Sequence, residues 1–213
     1  MKHFFIGFLL FLSFQSHAQR KSPDDYKIAI SFNPLALAHI DYTFLPGIEY
    51  KLQKNLSIVG EAGYIFASSA LGMGDGDARG GGFIIRPGLR FYVNPKNNFY
   101  LQPQFFYKQV SHRLRGWVGR DCVNDVPTYE ELSDYRLRRI AYGVNITAGK
   151  VWSILNGGGL VDFYFGAGIR HRERKFIGDE RSCVPDNTER VNFFGDGLLP
   201  SLPLGMRLCF FIR

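Results

Sequence analysis

IAYGVNITAG (residues 140–149) and VDFYFGAGIR (residues 161–170) decide the fold. In the first, Ile140, Tyr142, Val144, Ile146 and Ala148 alternate with Ala141, Gly143, Asn145, Thr147 and Gly149. In the second, Val161, Phe163, Phe165, Ala167 and Ile169 alternate with Asp162, Tyr164, Gly166, Gly168 and Arg170. Period 2 predicts strands with one apolar face. Alternation by itself does not orient that face, because a soluble barrel with an apolar interior and a membrane barrel with a polar one share the pattern. The content of the other face decides. A water-facing surface carries Lys, Glu and Thr in bulk, whereas the interior of an eight-stranded ring is narrow and takes small residues with a few long ones. The small, glycine-rich set therefore points inward.

Working outward, the same reading gives eight strands, at about 26–33, 44–52, 56–67, 82–94, 98–109, 136–151, 160–173 and 199–212. Their connections alternate in length. Gln53-Lys54-Asn55, residues 94–97 and residues 156–159 are tight turns, whereas 68–81, 110–135 and 174–198 are long, and 34–43 is a shorter apolar link. With an even strand number the tight turns fall on the side of the termini. The expectation is an all-β fold: an eight-stranded antiparallel up-and-down transmembrane β-barrel with short periplasmic turns and long external loops. Pro87 and Pro103 interrupt this ladder, since a closed ring has no free edge for a missing N–H, and each predicts a bulge or local distortion.

Composition agrees with strands and turns. The 213 residues include 20 Phe, 11 Tyr and 24 Gly, with 46% hydrophobic and 21% charged residues, which excludes a disordered chain. Lys2, the apolar run Phe4–Leu12 and Ser16-His17-Ala18 form a secretory signal peptide over residues 1–18, leaving 19–213 as one domain. Nine apolar residues are too few for a spanning helix, and no other stretch reaches 18. Mean hydropathy is −0.10. That value is compatible with a membrane barrel, because only alternate residues of each strand meet lipid. Removing Lys2 leaves 25 Lys and Arg against 19 Asp and Glu, spread along the chain, so nucleic acid is not an expected partner.

The register places Glu49, Glu61, Arg86, Arg90, Lys108, Arg170 and Arg207 inside, where carboxylates and guanidinium groups pair. The opposite register would put each arginine against lipid at about 2–4 kcal/mol near the midplane. A packed network and a gated ion path both fit these charges. Tyr50, Phe91, Tyr92, Phe99, Tyr100 and Trp152 lie near the tight turns, as a membrane-boundary belt of aromatic residues would.

Three basic groups converge at the external ends of neighbouring strands: His112–Arg115, Arg136–Arg139 and Arg170–Lys175. Arg113, Arg115, Arg136, Arg138, Arg172 and Arg174 form a candidate external rim for the phosphates of lipopolysaccharide; solvated loop charge is the alternative. Cys122 and Cys183 fall in neighbouring external connections and form a candidate disulfide. Cys209 falls on the interior set of the last strand as a small filler. The run GMGDGDARGGG (residues 72–82) has neither a phosphate-loop GK[ST] nor calcium-loop spacing around Asp75 and Asp77, and reads as a hairpin loop. No Cys/His spacing calls for a metal, and no cofactor is expected.

The signal peptide, the strands, the segments NPLALAHIDYTFLPGIEYKL (33–52) and PGLRFYVNPKNNFYLQPQF (87–105) and the alternating last strand together resemble small outer-membrane β-barrel proteins of Gram-negative bacteria. The resemblance is to a family of functionally uncharacterised barrels, with general similarity to the eight-stranded barrels of outer-membrane proteins A and X. It implies residence in outer-membrane lipid and insertion by the outer-membrane assembly machinery, which reads an aromatic-ended last strand. Here Leu204, Met206, Leu208, Phe210 and Ile212 alternate correctly, but Arg213 stands last. Ser111 beside His112 resembles lipid-A-modifying barrels, yet adjacent strand residues point to opposite faces. The expected role is therefore structural or interactive, not enzymatic. The alternatives are a small-solute channel, a lipid-modifying barrel enzyme and a secreted soluble barrel with an apolar ligand.

Overall fold

Long alternating runs build the strands, and the polar pair Lys54-Asn55 reverses one of them. In a computed structural model the described residues are 26–39, 41–68, 79–94, 98–123, 126–154, 159–177, 182–183 and 196–212. The expected leader at 1–18 and residues 72–78 of the glycine run lie outside them. The strands are β1 (Ile28–Phe32), β2 (Asp41–Phe44), β3 (Pro46–Gln53), β4 (Leu56–Ser68), β5 (Arg79–Asn94) and β6 (Phe99–Arg120). They continue with β7 (Tyr129–Ile154), β8 (Gly159–Ile177), β9 (Ser182–Cys183), β10 (Gly197–Ser201) and β11 (Leu204–Ile212). Every pairing is antiparallel, and β1 closes the sheet on β11 from Ile28↔Ile212 to Phe32↔Leu208. Because β2 and β3 run on as one strand, and β10 and β11 as another, the sheet is a ring of eight.

The ends Gln53 and Leu56, Asn94 and Phe99, and Ile154 and Gly159 lie at the end of the ring where β1 starts and β11 stops. The opposite end differs from expectation. Residues 110–135 are mostly ladder, not loop: β6 and β7 stay paired from Val110↔Arg139 to Arg120↔Tyr129. Their alternation was hidden because both faces carry polar residues there. The link at 34–43 also resolves into structure. Asn33 accepts a hydrogen bond from the Ala36 amide at 3.1 Å and caps a 3-10 turn over Pro34–Ala38, and Asp41 already belongs to β2.

Pro87 and Pro103 distort one seam without shifting it. Pro87 pairs with Gly60 and Pro103 with Ile146, on the outer sides of β5 and β6, and neither has a ladder partner between those two strands. The register still holds through Ile85↔Tyr107 and Gly88↔Gln104. Gly88 permits that close approach, since a Cβ there would lie 2.9 Å from the Pro103 carbonyl oxygen. The bulges fall elsewhere, at Tyr42/Thr43, Lys51/Gln53 and Tyr92/Asn94.

Polarity is inverted relative to a water-soluble ring. Asn145 and Thr147 are 5% and 0% exposed, while their neighbours Val144 and Ile146 are 53% and 64% exposed. On β8, Asp162 and Tyr164 are buried and Phe163 and Phe165 exposed. Small residues make the interior fit: Tyr100, Gly149, Tyr164 and Gly205 pair in a row across β6, β7, β8 and β11. A Cβ at Gly149 would collide with the Tyr100 ring, and one at Gly205 with the Tyr164 ring.

Candidate functional site

Arg90 on β5 and Arg207 on β11 stand four strands apart around the ring, and both reach inward to Asp162 on β8. Arg90 Nη2 donates to Asp162 Oδ2 at 2.9 Å, and Arg207 Nη1 donates to the same oxygen at 3.0 Å. The Tyr100 hydroxyl donates to Asp162 Oδ1 at 2.7 Å. Arg90 also donates to Glu49 at 2.8 Å and to Gln102 at 3.1 Å, and Arg207 donates to Glu61 at 2.7 Å. Each guanidinium lies over a ring, Arg90 4.0 Å from the Tyr100 centroid and Arg207 3.9 Å from that of Tyr164. Tyr92 donates to the other oxygen of Glu49 at 2.9 Å, and Arg86 lies 3.7 Å from Glu61.

This plug contains three arginines and three carboxylates, so its formal charge is balanced. Arg90, Arg207 and Asp162 are at most 1% exposed. Buried ions of this kind are tolerated only when paired and hydrogen-bonded, and removing one partner strands the others. Glu49, Arg90, Asp162 and Arg207 are held by alternation on strands whose register is set by the pairing, so the plug follows from the fold.

A second cluster lies towards the loop end. Asp41 on β2 binds Lys108 on β6, Ser68 on β4 and Arg139 on β7, the last with a nitrogen–oxygen distance of 2.7 Å. His112 is buried beside it, in space left by Gly80, where a Cβ would meet the imidazole. Beyond it β8 turns Arg170, Arg172 and Arg174 to the interior, on the alternating set of Asp162 and Gly168.

All seven interior charges read from the sequence face inward: Glu49, Glu61, Arg86, Arg90 and Arg207 in the plug, Lys108 and Arg170 above it. Sequence reasoning missed Asp162, Asp41 and Arg139. Asp162 stands on the same polar set of its strand as Arg170, which is the signal for its inward place, whereas Asp41 lies in an apolar stretch that gives none. The six rim arginines divide. Arg113, Arg115, Arg136 and Arg138 alternate outward, whereas Arg172 and Arg174 alternate inward. The aromatic belt is also corrected: Tyr92 and Tyr100 are buried in the interior because their strand register turns them in, and Tyr50, Phe91, Phe99 and Trp152 are the exposed members.

Cys209 is a buried free thiol, as its place on the interior set requires. Cys122 is not a free thiol. The backbone of β9 pairs with β6 through Gly119↔Cys183 and Arg120↔Ser182, close to Cys122 in the chain. Among the described residues no group of three or more His, Cys, Asp and Glu is placed to hold a metal ion. Among the same residues no helix is long and apolar enough to cross a membrane, which does not bear on strands. No family model, curated protein or solved structure matches the chain.

Proposed function

We propose that this chain is an integral outer-membrane β-barrel, exported by residues 1–18, with a structural or surface-interaction role and an interior sealed by ion pairs. One observation carries the reading: Glu49, Glu61, Arg90, Asp162 and Arg207 are buried inside the ring while Val144, Ile146, Phe163 and Phe165 are exposed on its outer face. Such a face would be an association hazard in water and is matched to a hydrocarbon layer. Crossing takes about 9–11 tilted residues per strand. In β6 and β7 the turn-end portion supplies that length and the remainder extends beyond it, which fits long external hairpins.

Outer-membrane lipid is the surrounding partner in this reading, and the assembly machinery acts during insertion. The outward arginines Arg113, Arg115, Arg136 and Arg138 are the proposed contacts for lipopolysaccharide phosphates. A Cys122–Cys183 disulfide tying β9 to β6 would brace the external hairpins; the backbone ladder at Gly119↔Cys183 supports it. Against a solute channel stands the network that Arg90, Asp162 and Arg207 draw across the interior.

The test is to isolate outer membranes from cells making the full chain and to compare gel mobility with and without boiling in detergent. A membrane-resident band that shifts on boiling is the expected result. A band in the aqueous fraction with no shift would overturn the reading and favour a secreted ligand-binding barrel.

A further inference from the structure

Charge divides the two ends of the ring. The chain has 19 acids. Glu49, Glu61 and Asp162 lie in the plug, and Asp24 and Asp25 precede the first strand, outside the described residues. None of the others falls in a tight turn or within four residues of one, whether described or not. Bases do fall there: Lys51, Lys54, Lys96 and Lys150, with Lys27 next to the start of β1. Even with Asp24 and Asp25 counted, the turn end is cationic.

Three of these lysines stand on the outer rim. Lys150 alternates outward on β7 and is exposed, with Phe99 and Phe163 as its ladder partners on either side. Its Nζ lies 5.4 Å from the ring centroid of Trp152, which is nearer the turn. One ammonium group therefore has three aromatic neighbours on a face otherwise matched to hydrocarbon. Lys27 Nζ lies 5.7 Å from the ring centroid of the exposed Tyr50, and Lys54 is exposed in the turn after β3. Lys51 differs: it lies over Tyr26 and Tyr92 at the mouth of the ring and is engaged there. Among the described residues no carboxylate pairs with Lys27, Lys54 or Lys150. A lysine on an apolar surface runs its stem along that surface and carries its ammonium to the polar boundary. Tyr and Trp rings hold the same level. The amines of Lys27 and Lys150 thus mark where head groups begin.

We infer that the turn end of the ring is a contact surface for anionic phospholipid, whose head-group phosphates are held by Lys150 and, around the same rim, by Lys27 and Lys54. An ammonium is a compact charge with three donors, and an anionic membrane surface attracts basic residues placed at its level. The acyl chains lie against the outward apolar residues further along the strands, Ile146 and Phe165 among them. This rests on the membrane placement proposed above and adds which lipid the turn end selects.

Tryptophan fluorescence in bilayers tests this at the rim itself. The chain has two tryptophans, so W117F leaves Trp152 as a reporter beside Lys150, and W117F/W152F/Y50W puts an indole beside Lys27. Each protein is reconstituted in equimolar phosphatidylglycerol and phosphatidylcholine, with a bromine quencher on the acyl chains of one lipid or of the other. The expected result is stronger quenching by brominated phosphatidylglycerol at both reporters, equivalent to an enrichment of about threefold or more. K150Q should make the two lipids quench Trp152 equally, and K27Q/K54Q should do the same for the indole at position 50. Raising KCl to about 0.5 M should shrink the excess without any substitution. Equal quenching by the two lipids before any lysine is replaced would overturn the inference and leave the membrane placement standing. No quenching by either lipid would remove the membrane placement, and this inference with it. A preference that survives both lysine replacements would also overturn the inference, because other groups would then hold the lipid. The boiling shift of each variant reports whether its ring is intact; should a glutamine variant lose it, the salt titration decides.

Discussion

Arg90 and Asp162 meet across the interior of the ring, Nη2 to Oδ2 at 2.9 Å, although 72 residues separate them in the chain. The carboxylate also receives Arg207, so one acid holds two arginines from strands on opposite sides. The centre of the ring is therefore a single bonded unit, and its members depend on one another.

Asp162→Asn keeps the shape and removes the charge both arginines use. Leaving them short of a buried counter-ion is expected to cost about 3–5 kcal/mol. Unfolding in urea from bilayers should report this loss, and a stability within experimental error of the wild type would show that the plug does not hold the ring.

Gly149→Ala places a methyl group against the Tyr100 ring. Overpacking of this kind costs about 1–3 kcal/mol. Tyr100→Leu removes the ring atoms of that clash and leaves the Phe163 carbonyl oxygen 2.8 Å from the added methyl, so the double variant should lose less stability than the two single losses combined, though not recover it fully. Additive losses would mean that the Tyr100–Gly149 contact is not what requires glycine.

Ile146 is outward and 64% exposed. If its face meets hydrocarbon, Ile146→Arg is expected to lower folding stability in bilayers by about 2–4 kcal/mol. In a water-exposed face the same change would be close to neutral, and that outcome would count against the membrane reading.

Much of this architecture was legible in advance, and the reasons can be traced to residues. Alternation from Ile140 to Gly149 and from Val161 to Arg170 sufficed to orient the sheet, because glycines and single charges share one face. Residues 110–120 and 129–135 do not show as strand in the sequence because polar side chains stand on both faces there: His112 turns in and Arg113 turns out. Asp41 was missed for a different cause. Its ring position depends on the Asn33-capped turn, which resumes the strand earlier than the apolar run PLALA suggested. The burial of Tyr92 and Tyr100 was likewise a matter of parity, which proximity to a turn does not reveal.

Cysteine chemistry separates the interior from the loop end. The chain has three cysteines. Cys209 is buried and free, so a maleimide should leave the folded protein unlabelled. Mass spectrometry should then find one adduct after unfolding without reductant and three after unfolding with it, as a Cys122–Cys183 bond requires. Three adducts without reductant would exclude the bond, and labelling of Cys209 in the folded state would exclude a packed interior.

The apolar face of this ring is proposed to lie against lipid. Nitroxide labels at Tyr142→Cys, Val144→Cys and Ile146→Cys, in a Cys209→Ser background reconstituted in bilayers, test it through collision with dissolved oxygen and with a water-soluble nickel chelate. A lipid-facing surface gives strong relaxation by oxygen and little by the chelate, most markedly at 146. Strong relaxation by the chelate at all three positions would put that face in water and overturn the membrane placement.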